Sequence, residues 1–193
     1  MSLQALERKN WKLGQGVTLW FTGLPSSGKS TIARALERLF KKKGIPVELL
    51  DGDVVRTHLS KDLGFSRADR DTNVKRIGFV CQLLTRHHVA AIASLVSPYR
   101  DSREYNRQLI GNFVEVYVKA SAEACAKRDV KGLYQKARAG EITGFTGVDD
   151  PYEEPLAAEI VCDTEKESAE ESLLKVVRRL EELGYLKMTE AVV

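Results

Sequence analysis

Nine residues, Gly23-Leu24-Pro25-Ser26-Ser27-Gly28-Lys29-Ser30-Thr31, carry the clearest chemistry in this chain. They fit G-x-x-x-x-G-K-[ST], a loop whose backbone N–H groups cradle phosphates. Gly23 and Gly28 permit the tight turn. The amides of the run, Ser26, Ser27 and Thr31 among them, can then converge on phosphate oxygens. Lys29 would reach the β- and γ-phosphates, and the Ser30 hydroxyl would hold Mg²⁺. Phosphoryl transfer to a hydroxyl also needs a carboxylate within reach of that hydroxyl's proton. Asp51-Gly52-Asp53 supplies two. Asp53 is the candidate base and Asp51 its alternative, while an Asx turn around Gly52 would use both structurally. Arg56, Arg67, Arg70, Lys75, Arg76 and Arg100 gather around the same stretch. Guanidinium forks match phosphate and sulfate oxygens, so such a group suits an acceptor with an anionic tail. Solvated surface charge is the alternative for each of them.

Those groups need elements to position them. Val17-Thr18-Leu19-Trp20-Phe21-Thr22 predicts a buried strand entering the loop, and Ile32, Ala35, Leu36 and Leu39 predict the helix leaving it. Lys41-Lys42-Lys43-Gly44 suits that helix's C-terminal end. Pro46 to Leu50 reads as a second strand, one that often neighbours the phosphate-loop strand, with a short helix from Val54. A long helix is expected from Asp71 to His88, a fully buried strand from Val89 to Ser97, and a helix from Arg103 to Ile110. Phe113 to Val118 and Glu159 to Asp163 complete the strands, with a helix from Ala122 to Arg128 between them. Ser168-x-x-Glu171 is a capping box that opens a last amphipathic helix, stopped by Gly184. Alternating strands and helices predict a three-layer α/β domain with a mostly parallel five-stranded sheet over 17–184. Residues 1–16 read as a loosely docked lead-in and 185–193 as a tail. Ligands of such sheets bind beyond the strand C-termini. The phosphate loop, Asp51-Gly52-Asp53 and the run Ser94 to Arg100 all fall there, which predicts a two-substrate site.

Lys131 to Gly147 is basic and glycine-punctuated, as a mobile lid would be. A lid closing over the transferring phosphoryl group excludes water and suppresses ATP hydrolysis. Phe65 and Phe145 stand in polar loops, where each ring either stacks on a base or anchors its loop. His58, His87 and His88 form no partner pattern, and Trp11 and Trp20 read as packing residues. The net charge of +3 is far from that of a nucleic-acid binder, and no apolar run reaches membrane-spanning length. Cys81, Cys125 and Cys162 form no metal or disulfide pattern, and a cytoplasmic location is expected.

Beyond these readings, the chain from Gly16 to Leu183 resembles adenylylsulfate kinase (APS kinase), a P-loop kinase family. The resemblance rests on Trp20-Phe21-Thr22-Gly23-Leu24, Leu50-Asp51-Gly52-Asp53, Leu63-Gly64-Phe65-Ser66, Asp69-Arg70, Asn73, Arg76-Ile77-Gly78 and Ser97-Pro98-Tyr99-Arg100. It continues in Arg128-Asp129-Val130-Lys131-Gly132-Leu133-Tyr134, Lys136 to Ile142, Phe145-Thr146-Gly147 and Pro151-Tyr152-Glu153. It implies transfer of phosphate from MgATP to the ribose 3′-hydroxyl of adenosine 5′-phosphosulfate. It implies Asp53 as base and, with Ser30, as metal ligand, and Arg128 on the ATP adenine. Arg56, Arg70 and Asn73 would hold the acceptor, with its adenine between Phe65 and Phe145. Val96, Ser97, Lys131 and Gly144 would complete that pocket. Ser97 matches a serine often described in the family as a phosphorylated intermediate, although direct in-line transfer needs no covalent stop. The resemblance also implies a homodimer and a possible fusion or association with ATP sulfurylase. Val54 stands where the family usually has asparagine, Pro25-Ser26-Ser27 replaces a more glycine-rich stretch, and Leu84 to His88 replaces an acidic helix end.

Overall fold

The computed structural model describes residues 9–129 and 131–189. Residues 1–8 of the expected lead-in, 190–193 of the expected tail and Val130 of the lid motif lie outside the described residues. The elements run β1 (Trp11–Leu13), β2 (Val17–Thr22), α1 (Lys29–Lys42), β3 (Val47–Asp51), α2 (Gly52–His58), α3 (Arg67–Arg86), β4 (Ala90–Ser94), α4 (Arg100–Ile110), β5 (Phe113–Lys119), α5 (Ala122–Arg128), α6 (Leu133–Arg138), β6 (Ile160–Asp163), α7 (Ala169–Glu182) and β7 (Leu186–Met188).

Five parallel strands form the central sheet in the order β3-β4-β2-β5-β6. The strand ending in Asp51 therefore does not neighbour the phosphate-loop strand, as its chain position suggests. β4 is inserted between them and pairs with both. Side chains alternate across the sheet with the strand period of two. Val17, Leu19 and Phe21 of β2, Ile92 of β4, and Val114, Val116 and Val118 of β5 face α1 and α7. Those helices return the apolar stripes Ile32, Leu36, Leu39 and Phe40, and Leu173, Val176, Val177 and Leu180. Trp20, Ala91, Ala93 and Phe113 face the other way, onto Val74, Ile77 and Cys81 of α3. Burying each large aliphatic or aromatic side chain contributes about 1.5–3 kcal/mol, so the two faces carry the fold. Gly78 lets α3 meet α4 closely: a Cβ there would lie 1.9 Å from the Asn106 Oδ1 atom.

Helix starts move upstream of the periodic apolar residues because polar groups meet their first N–H groups, from a preceding cap at α2 and α3 and from Glu153 at α4. Ser66 accepts the Asp69 N–H to start α3 at Arg67 rather than Asp71, and α4 starts at Arg100 rather than Arg103. Asp51 caps α2, which starts at Gly52. The capping box at Ser168 and Glu171 forms as the sequence indicates. The expectation of a loose lead-in and a tail gives way to a two-stranded antiparallel sheet, in which Trp11 faces Met188 and Leu13 faces Leu186. Trp11 is buried, its indole N–H donates to Glu181 at 2.8 Å, and Lys43 lies over its ring.

Candidate active site

The phosphate loop connects β2 to α1 at the C-terminal edge of the sheet. Gly23 adopts φ +152°, and a Cβ there would come within 2.4 Å of the Val118 carbonyl oxygen. Gly28, at φ 105°, leads into α1 without a side-chain cap, and the first turn holds no acidic residue. The Thr31 N–H donates to the Gly28 carbonyl at 3.1 Å, and the N–H groups of Lys29 and Ser30 ahead of it face an anion with the helix dipole behind them. Lys29 folds back along the loop and donates to the carbonyls of Gly23 (2.9 Å) and Leu24 (2.7 Å). Burial lowers its pKa to about 8 against the attraction of Cys125, Asp51 and Asp53. A buried ammonium held this way is stabilised by phosphate charge placed beside it.

A cleft of about 960 Å³ opens over this loop. Of the residues singled out in the sequence, it is lined by Ser26, Gly28, Lys29, Ser30, Thr31, Asp53, Arg56, Phe65, Arg70, Asn73, Val96, Ser97, Arg128, Lys131, Gly144 and Phe145. Gly23 and Ser27 do not reach it. Ser27 is fully buried, and its carbonyl accepts from Thr164 and Arg128, which ties the loop to the end of β6. Arg128 is held there by both the hydroxyl and the carbonyl of Thr164.

The two carboxylates separate by environment. Asp51 is buried, accepts the Asp53 N–H at 3.2 Å and pairs with Arg34 at 3.3 Å. Asp53 is exposed to the cleft and forms an ion pair with Lys131 from the opposite rim. Asp51 therefore shapes the turn, and Asp53 presents a carboxylate to whatever the cleft holds. No group of three His, Cys, Asp or Glu gathers among the described residues. Mg²⁺ is commonly held by one or two carboxylates plus substrate phosphates and water, and a hydroxyl at Ser30 with a carboxylate at Asp53 fits that donor set.

Of the six clustered cations only Arg56 and Arg70 line the cleft. Arg76 pairs with Asp62, Lys75 with Asp71, Arg67 stacks on Tyr99, and Arg100 donates to the Glu154 carbonyl. Arg56 stacks on the Phe65 ring at 4.3 Å and donates to the Gly64 carbonyl. Arg70 joins two rims: its Nε donates to the Phe65 carbonyl, and its other nitrogens donate to the Gly144 carbonyl and the Thr146 hydroxyl. Phe65 is 63% exposed, so its ring is available to stack. Phe145 lines the cleft and also packs edge-on against Tyr134, centroids 5.0 Å apart. Tyr134 is buried, and its hydroxyl donates to the Pro25 carbonyl, so the 131–147 segment rests on the phosphate loop.

The third wall is the run after β4. Ser97 is buried at φ 45°, and its hydroxyl has no hydrogen-bond partner among the described residues. Its carbonyl accepts from Arg103 (2.6 Å) and Thr22 (3.3 Å), which hold the left-handed backbone in place.

A model of the adenylylsulphate kinase family matches residues 15–163. The chain belongs to the adenylylsulphate kinase family. It is 58% identical over 178 residues to the adenylyl-sulfate kinase of Rippkaea orientalis, a match spanning 92% of this chain and 98% of that protein. The solved structure of the Mycobacterium tuberculosis APS kinase CysC in complex with AMPPNP and APS superposes with a TM-score of 0.84 at 41% identity, over 86% of this chain and 98% of that one. A hexameric APS kinase from Thiobacillus denitrificans matches with a TM-score of 0.69 at 39% identity, over 91% of this chain and 30% of that longer one.

Within this adenylylsulphate kinase fold, several groups that shape the site escape sequence reasoning. Arg103 is almost fully buried, pairs with Glu115 at 2.7 Å and donates to the carbonyls of Ser97 and Glu153. Arg107 bridges Glu159 and Glu115 behind it. Tyr152 places its hydroxyl 2.9 Å from Thr22. The alternation Phe113-Val114-Glu115-Val116 was the available signal for Arg103, because it turns Glu115 toward the α4 face of the sheet. Tyr152 stands in the sequence only as part of the block Pro151-Tyr152-Glu153, with no role attached, and nothing in the spacing points to Arg34.

Proposed function

We propose that the protein transfers the γ-phosphoryl group of ATP to the ribose 3′-hydroxyl of adenosine 5′-phosphosulfate, giving 3′-phosphoadenosine 5′-phosphosulfate and ADP. The observation that carries this reading is the convergence in one cleft of the phosphate loop, the exposed Asp53 and two loops bearing Phe65 and Phe145. In this reading the loop amides and Lys29 hold the donor phosphates, and Arg128 flanks the donor base. Asp53 accepts the proton of the attacking hydroxyl as the new O–P bond forms and the bond to the β-phosphate oxygen breaks. Lys131 moves from Asp53 toward the transferring group as the 131–147 segment closes as a lid, which excludes water. Ser30 and Asp53 would hold Mg²⁺, which when bound would neutralise phosphate charge. Arg56, Arg70 and Asn73 orient the acceptor, Phe65 and Phe145 flank its adenine, and Val96, Ser97 and Gly144 line its pocket.

No helix of the described residues is long and apolar enough to cross a membrane. The three buried free cysteines support a cytoplasmic setting, and the exposed rings of Phe79 and Tyr105 on α3 and α4 support a homodimer. The decisive experiment follows ADP release from MgATP with a panel of acceptors: adenosine 5′-phosphosulfate, shikimate and gluconate. Turnover with the sulfonucleotide alone is expected. Turnover with a sugar acid instead, or sulfonucleotide binding without any turnover, would overturn the reading.

A further inference from the structure

Ser94 closes β4, in register with Asp51 on one side and Phe21 on the other. It belongs to the cleft lining together with Lys29, Ser30, Asp51 and Asp53. The residue is buried at 4% exposure, and its hydroxyl has no hydrogen-bond partner among the described residues. The polar groups around it are spent elsewhere. Lys29 donates to Gly23 and Leu24, and Asp51 accepts from Asp53 and Arg34. A buried hydroxyl left without a partner is destabilising, because its lost hydration is not repaid. The rest of the strand is alanine at 90, 91 and 93 and isoleucine at 92, so a small apolar side chain would fit this sheet without that cost.

The sheet order gives the hydroxyl its setting. Ser30 follows β2 and Asp53 follows β3, and β4 runs between those strands. Whatever Ser30 and Asp53 hold in common therefore lies over the end of β4. The Asp51-Gly52-Asp53 turn is seated directly on Ser94: a Cβ on Gly52 would lie 3.3 Å from the Ser94 carbonyl oxygen and 3.2 Å from Leu95 Cδ2. A divalent cation of the Mg²⁺ type keeps several waters when only one or two protein groups bind it, and those waters need acceptors. A serine hydroxyl can accept from such a water and donate onward to a carboxylate or phosphate oxygen.

We propose that Ser94 is a positioning residue for the metal. Its hydroxyl hydrogen-bonds a water of the cation's shell and orients that shell between Ser30 and Asp53. The inference rests on the reading that these two residues hold a hydrated divalent cation. Partners in this outer position typically change metal affinity by 10–100-fold when removed.

The test uses Mn²⁺ as the cation and ADP as the nucleotide, with free Mn²⁺ read by electron paramagnetic resonance. In the wild type with ADP, Mn²⁺ binds, and Ser30→Ala and Asp53→Asn weaken it. Absence of wild-type binding would remove the cation reading itself. Ser94→Ala should raise the Mn²⁺ dissociation constant by about tenfold or more. It should leave ADP affinity in EDTA within twofold and the ligand-free melting temperature unchanged or higher. The proposal alone falls if Mn²⁺ affinity stays within twofold of wild type while the Ser30 and Asp53 variants lose it. It falls equally if ADP binding weakens as much without metal as with it, because the hydroxyl would then serve the phosphates directly.

Discussion

Lys29 gives the phosphate loop a proton linkage that can be measured without turnover. Its ammonium is buried against two loop carbonyls, and burial brings its pKa from the ordinary 10.5 to about 8. Phosphate oxygens placed beside it should restore a value near the ordinary one. MgADP binding should then take up about half a proton per molecule at pH 8, about nine-tenths at pH 9 and less than about a tenth at pH 7. Affinity should fall about tenfold per pH unit between roughly pH 8 and 10. The stability of the ligand-free protein should move the other way. Below pH 8 both folded and unfolded chains carry this proton, and the cost of burying it is fully present. As pH rises through 8 the folded chain alone releases it, so stability rises relative to other groups until about 10.5, by roughly 3 kcal/mol in all. Calorimetry in two buffers of different ionisation enthalpy measures the uptake, and Lys29→Arg should abolish it because guanidinium stays protonated. An uptake near zero at pH 8 and 9 in the wild type would show that Lys29 keeps its proton throughout and would refute the argument.

Asp53→Asn should lower kcat by about a hundredfold or more with an unchanged melting temperature, as expected for losing an exposed general base. Asp51→Ala should lower the melting temperature by about 2–4 °C through loss of the α2 cap; a larger kcat loss there than at Asp53, with no change in melting, would exchange the two roles. Phe145→Ala should raise the Michaelis constant for adenosine 5′-phosphosulfate by roughly 5–150-fold, from about 1–3 kcal/mol of stacking, and a matching rise for ATP instead would assign the ring to the donor. Arg103→Met removes the closer partner of Glu115, leaving Arg107 at 3.4 Å, and takes the donor from the Ser97 and Glu153 carbonyls; it should cost about 3–5 kcal/mol, seen as a fall of at least about 6 °C in the melting midpoint, and a shift under 2 °C would contradict the role of the buried pair.

The phosphate loop, the strand before it and the helix after it are legible in the sequence because their signal is local. Two glycines, a lysine and an apolar period of about four lie within twenty residues. Sheet order is not local in this way. The crossover that places β4 between β2 and β3 leaves no mark in either strand, so the neighbour of the phosphate-loop strand cannot be read from chain order. The choice among six clustered cations has the same cause. Arg56 and Arg70 face the cleft, whereas Arg76 and Arg100 turn to Asp62 and the Glu154 carbonyl. Those partners are fixed by tertiary placement rather than by spacing. Ser94 is visible in the sequence as the start of the run Ser94 to Arg100 beyond the strand ends, and its unpaired hydroxyl emerges once the turn at Gly52 is seen resting on it.

The pairing of β1 with β7 turns the chain from Trp11 to Met188 into a nearly closed ring, sealed by hydrogen bonds instead of a covalent link. Among the described residues neither strand has another partner in that small sheet, and the Trp11 indole is bonded to Glu181 at the end of α7. Peeling either end away opens the seam for both. Amide hydrogens of β1, β7 and the last turn of α7 should therefore exchange together as one cooperative unit, although some 170 residues of sequence separate them. Damage at β1 is felt as fraying at β7.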